Sequence, residues 1–140
     1  MIIAIIRIKG KVEINKEIEE TFKRLNLPRK YSCTLINGER KELMGMIKKI
    51  RNFSAYGEID KETLIELVKK RAKIVDKNKK VNLERIAEEI WNKKQIKELE
   101  IRPFFALHPP RGGIDTKSHF PKGVLGDHKE KINELIKRMI

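Results

Sequence analysis

The chain has 140 residues, room for one compact unit and a small appended piece, and its 33 Lys and Arg against 20 Asp and Glu give a formal charge of +13. Like-signed charge of that size is hard to reconcile with a protein lacking a polyanionic partner, so nucleic acid is the first partner to consider. Hydrophobic residues still make up 39% of the chain and recur in periodic blocks, which excludes a basic disordered tail and predicts a folded core.

The N-terminal run MIIAIIRIKG has no preceding basic segment and no small-residue cleavage site, so it reads as a strand and not as a signal peptide. Ile2 to Ile8 is β-branched, too short for a helix and apolar throughout, the pattern of a central strand buried on both faces. After Gly10, Asn15 can cap a helix that carries Ile18, Phe22 and Leu25 on one face, with acids near its start and Lys23 and Arg24 near its end; Pro28 stops it. Tyr31 to Ile36 returns to β-formers and closes on Asn37-Gly38. From Glu39 to Asn52, Leu43, Met46, Ile47 and Ile50 recur at helical spacing, and Gly45 in their midst has no explanation in propensity. Phe53 to Ile59 gives a third short strand. The first sixty residues therefore read β-α-β-α-β.

Beyond residue 60 the chain turns helical. Asp60 can cap a helix with Leu64, Leu67 and Val68, Asp76 to Lys80 makes a loop, and Asn82 can cap a helix with Leu83, Ile86, Ile90 and Trp91. A lysine-rich joint at Lys93 and Lys94 leads through Ile96 and Leu99 to Pro103, and Phe104 to Leu107 is either one more short strand or an extended arm. Asp127 and Glu130 stand in capping-box spacing before a final amphipathic helix of Ile132, Leu135, Ile136 and Met139.

Between Leu107 and that helix lies HPPRGGIDTKSHFPKGVLGD, Gly- and Pro-rich and without apolar periodicity. A segment so long and irregular inside a small domain is usually functional or disordered. Its glycines let a backbone approach a ligand closely, its cations can grip phosphates, and Phe104, Phe105, Phe120 or His119 can stack on an unpaired base. The same composition also suits a plain turn-rich connector. The single cysteine, Cys33, precludes an intramolecular disulfide and fits a cytoplasmic setting; in a short strand it reads as a buried small hydrophobe sooner than as a nucleophile. Asp115, His119, Asp127 and His128 are ligand types for a divalent metal, so a metal-dependent nuclease is the rival from another class, but they show no recognised ligand spacing. No nucleotide-binding glycine fingerprint is present.

The segment LHPPRGGIDTKSHFPKGVLGDHKEKINELIKRMI resembles the C-terminal signature of archaeal members of the large-subunit ribosomal protein family L-thirty, called L-seven in eukaryotes, and MGMIKKIRNFSAYGEI after the CTLIN strand resembles that family's second helix and third strand. Gly45 then falls in the family's Arg-Gly-Met element, with Met44 where arginine is usual. The resemblance covers essentially the whole chain, most weakly from Lys73 to Glu100. It implies an α+β fold: a core of three strands and two helices over residues 1–60, followed over 61–140 by a mostly helical archaeal-type extension that carries the long basic loop and can pack as one unit with the core. It also implies ribosomal RNA of the large subunit and neighbouring ribosomal proteins as partners, and no catalysis, cofactor, metal, membrane or small-molecule substrate. A free RNA-binding chaperone or regulator shares every compositional feature. The expected RNA contacts are Arg111, Lys117, Lys122 and His119 in the loop, with Gly112 and Gly113 allowing close approach, and a second set of Arg29, Lys30, Lys48, Lys49 and Arg51. A solvated helix face is the competing reading of that second set, and Arg7 and Lys9 are ambiguous in the same way.

Overall fold

The computed structural model describes residues 2–8, 10, 15–72, 82–92, 104–109 and 125–140. Its elements follow the order β1 (Ile2–Arg7), α1 (Lys16–Arg24), β2 (Ser32–Asn37), α2 (Lys41–Lys49), β3 (Ser54–Glu58), α3 (Lys61–Arg71), α4 (Leu83–Trp91), β4 (Phe105–Ala106), β5 (Gly126–Asp127) and α5 (Ile132–Met139). Three helices start where the sequence places a cap: Asn15 Oδ1 accepts the Ile18 N–H at 2.9 Å, Asp60 Oδ1 that of Thr63 at 2.7 Å, and Asn82 Oδ1 that of Glu84 at 3.1 Å.

The sheet has the order β4-β2-β1-β3-β5. Strand β1 is central, antiparallel to β2 with Ile5 opposite Thr34, and antiparallel to β3 with Ile5 opposite Tyr56. The three expected strands form its middle, and two two-residue strands from beyond residue 60 extend both edges, β4 antiparallel to β2 and β5 parallel to β3. Phe104 to Leu107 thus contributes a strand, not a free arm.

The continuous apolarity of β1 has a layered cause. Side chains alternate across a strand. Ile3 and Ile5 pack with Ile18, Phe22 and Leu25 of the α1 region and Ile47 and Ile50 of the α2 region, whereas Ile2, Ala4, Ile6 and Ile8 pack with Leu64, Leu67, Ile86, Ile132 and Ile136 on the other face. Residues 1–60 cover one face of their own sheet. The second face is covered by helices from beyond residue 60, and each Ile or Leu it shields contributes about 1.5–3 kcal/mol relative to exposure.

The two outer helices α3 and α4 are joined by exposed ion pairs, Lys69 with Glu84 at 2.9 Å and Lys61 with Glu88 at 3.4 Å. Lys69 also lowers the Glu84 pKa, by its hydrogen bond first and its charge second. Helix α5 is fastened to the end of β3 by Asn133, whose Oδ1 accepts the Asp60 N–H at 2.9 Å and whose Nδ2 donates to Glu130 O at 2.8 Å and Glu58 O at 3.3 Å. The capping box expected at its start is replaced by other geometry. Asp127 ends β5, its Oδ1 accepts the Lys129 N–H at 2.8 Å, and a 3₁₀ turn over Lys129–Lys131 leads into the helix. The expected loop at Asp76 to Lys80, the Lys93-Lys94 joint and the stretch through Pro103 lie outside the described residues.

Candidate nucleic-acid interface

Strand direction decides which basic residues meet. Strand β1 runs toward Arg7, which lies opposite Ser54, the first residue of β3, while Ile6 lies opposite Cys33 near the start of β2. The residues that lead into β2 and β3 therefore occupy one end of the sheet, and so do the C-terminal turns of α1 and α2 that precede them. Strand β4 leaves the sheet at this end, with Ala106 opposite Ser32, and β5 enters it there, with Gly126 opposite Ala55. Arg29, Lys30 and Arg51, together with Lys48 and Lys49 in the last turn of α2, consequently share one end of the sheet with both described flanks of the basic loop, Leu107 to Pro109 on one edge and Leu125 on the other. The loop residues themselves, Arg111, Gly112, Gly113, Lys117, His119 and Lys122, lie outside the described residues, as do Phe120 and Lys9.

Arg29 and Lys30 are exposed on a turn whose backbone is fixed. The Arg29 N–H donates to Ser32 Oγ at 3.3 Å, and the Lys30 ammonium sits 5.1 Å from the centre of the Tyr31 ring. Tyr31 has φ 66°, a left-handed backbone rare for an aromatic residue. It is held there by its N–H donating to Arg7 O at 2.6 Å and its carbonyl accepting the Leu107 N–H at 3.1 Å, which ties the entry of the loop to the turn bearing Arg29 and Lys30. Lys48 and Arg51 are exposed. Lys49 is also exposed, but its Nζ lies 3.4 Å from Glu17 Oε1 and so links α2 to α1; a pair this solvated contributes at most about 1 kcal/mol and yields readily to a phosphate.

Arg7, ambiguous from the sequence, and Phe105, one of four candidates for base stacking, are both buried. Arg7 is fully buried and faces inward: its guanidinium donates to Leu27 O at 2.8 Å and to Glu19 Oε2 at 3.0 Å, and lies 4.2 Å from the Phe22 ring centre. It shares strand parity with Ile3 and Ile5, a signal present in the sequence that its charge masks. Phe105 is equally buried, against β2, so it is a core residue and cannot stack on a base. Lys23, in the last turn of α1, is a further cation exposed at the same end of the sheet, and its place in the final helical turn is the sequence signal for it.

Cys33 is buried in the core and burial pushes its thiol up to about 12, so it stays protonated and unreactive at neutral pH. Of the four metal-ligand candidates, Asp115 and His119 lie outside the described residues, Asp127 Oδ1 accepts the Lys129 backbone N–H, and His128 is buried, its backbone N–H donating to Tyr56 O at 2.7 Å. Among the described residues no three His, Cys, Asp or Glu side chains converge as a metal site, and no helix is long and apolar enough to cross a membrane.

The family described as ribosomal protein L30p/L7e matches residues 3–53, which hold β1, α1, β2, α2 and the turn with Arg29 and Lys30. Curated relatives extend the likeness over nearly the whole chain. The large ribosomal subunit protein uL30 of Nanoarchaeum equitans is 40% identical, covering 98% of this chain and 97% of its own length. The proteins of that name from Archaeoglobus fulgidus and Methanococcus vannielii are each 35% identical, covering 97% and 98%, and 100% and 100%, respectively. With that identity spanning both the sheet's centre and the helices that cover its second face, the chain belongs to the ribosomal protein L30p/L7e family.

Proposed function

We propose that this chain is a structural constituent of the large ribosomal subunit, where it binds and stabilises ribosomal RNA and performs no catalysis. The observation that carries the reading is the end-to-end likeness to relatives named as large ribosomal subunit proteins, which takes in the residues after 53 as well as the family core. The convergence of Arg29, Lys30, Lys48 and Arg51 with both flanks of the basic loop at one end of the sheet supports RNA as the ligand. Lys and Arg there neutralise phosphates and release counterions, and the packed sheet holds them in register. The loop residues Arg111, Lys117, Lys122 and His119 add contacts from the segment between those flanks, with Gly112 and Gly113 admitting the RNA backbone. Neighbouring ribosomal proteins complete the setting, on the ribosome in the cytoplasm.

The test is sedimentation of cell lysate through a density gradient at moderate and then high salt. Comigration with the large subunit, stripped only by high salt, is the expected result. Migration at the top of the gradient under both conditions would overturn it and favour a free RNA-binding chaperone or regulator.

A further inference from the structure

A second site lies away from the basic end. Ile3, Met44 and Tyr56 form the apolar floor of an open cavity of about 500 Å³ between α2, β3 and the turn after β5. Glu58, Asp127 and Glu130 also line it, together with His128, Lys129 and Lys131, three acidic residues to two lysines. In a chain of +13 this is an inversion of the prevailing sign.

The local field agrees. The Tyr56 hydroxyl is harder to ionise than usual, first because it is desolvated and next because Asp127 faces it, with Arg51 opposing more weakly. With more acidic residues than lysines in the lining, the cavity favours a cation over the phosphates of an RNA backbone. A guanidinium is the right one: flat enough to stack on a phenol ring, it forks onto a carboxylate and tolerates partial desolvation better than an ammonium. The same chain already builds such a seat internally, where Arg7 lies on Phe22 and donates to Glu19.

We propose that this cavity is a docking site for an arginine side chain of a basic protein segment, with the guanidinium on Tyr56 and Met44 and its N–H groups on Asp127 and Glu58. The proposal stands whether or not the opposite end of the sheet binds RNA, and it assigns the protein a protein partner on a different face.

The test uses the whole 140-residue chain with its methionine methyl groups labelled for NMR, titrated separately with acetyl-Gly-Arg-Gly-amide, acetyl-Gly-Lys-Gly-amide and cytidine monophosphate. The arginine peptide is expected to move the Met44 methyl signal saturably and at lower concentration than the lysine peptide, leaving the fully buried Met139 unmoved. The double variant Glu58→Gln with Asp127→Asn is expected to lose that response; an unchanged Met139 signal shows that it is folded, and Glu58→Gln alone serves if the double variant is not. A Met44 signal indifferent to the arginine peptide, or equally responsive in the folded variant, overturns the proposal. So does movement by cytidine monophosphate and not by the arginine peptide, which would make the cavity a nucleobase seat.

Discussion

The Arg7 guanidinium donates to the Glu19 carboxylate at 3.0 Å across the junction of β1 and α1, with Arg7 fully buried and Glu19 28% exposed. Because Arg7 also donates to Leu27 O, it joins the strand, the helix and the turn that carries Arg29 and Lys30. Arg7→Ala leaves that carbonyl and carboxylate without their donor and opens a cavity beside Phe22, and is expected to destabilise the fold by about 3 kcal/mol in chemical denaturation. Glu19→Gln keeps the packing and an acceptor, and is expected to cost about 1 kcal/mol.

Gly57 is where α5 meets the sheet. A Cβ at this position would overlap the Lys129 carbonyl and stand 2.9 Å from Ile132 Cβ. Backbone cannot give way as a flexible side chain does, so Gly57→Ala is expected to destabilise by about 1–3 kcal/mol and lower the melting temperature.

Gly45 is the opposite case. It is exposed in the middle of α2 and a Cβ there would meet nothing within 4 Å. Gly45→Ala is expected to stabilise the free protein by about 0.5–1 kcal/mol, read from the denaturation midpoint. A destabilised variant would show that the glycine serves the chain's own packing.

At the basic end, replacing Arg29, Lys30, Lys48 and Arg51 together with Ala removes exposed charge without touching the core. Affinity for RNA of the large subunit is expected to fall, and the slope of log K against log salt to flatten by about 0.7–0.9 for each phosphate that is no longer neutralised. The triple variant of Arg111, Lys117 and Lys122 is expected to flatten it further. A slope unmoved by the first set would mark those cations as a solvated helix face.

Burial of Cys33 predicts a pH dependence. Its thiol titrates at 9.0 in the unfolded chain and at about 12 in the fold, so both states are protonated below pH 9 and only the unfolded chain ionises between those values. The contribution of Cys33 to stability is therefore present below pH 9 and lost above it, at about 1.4 kcal/mol per pH unit. Denaturation of the native chain beside Cys33→Ala isolates this loss from that of other titrating groups. A parallel course of the two proteins from pH 8 to 11 would contradict it.

Local chemistry alone determined much of the architecture. Asn15, Asp60 and Asn82 cap helices because a short polar side chain before an apolar stripe has a backbone N–H within reach, whatever lies farther along the chain. The unbroken apolarity of Ile2 to Ile6 likewise announced burial on two faces. Tertiary structure decided what covers those faces: only packing reveals that the second is closed by helices from beyond residue 60, and that Phe105 and Gly126 join opposite edges of the sheet. It also decided Arg7, which the sequence left ambiguous and which Leu27 and Glu19 draw inward, since those partners are distant in sequence. Charge on a side chain is a local property, readable from one letter. The direction in which that charge points is set by the strand's parity and by the groups packed against it, and those exist only once the sheet has formed.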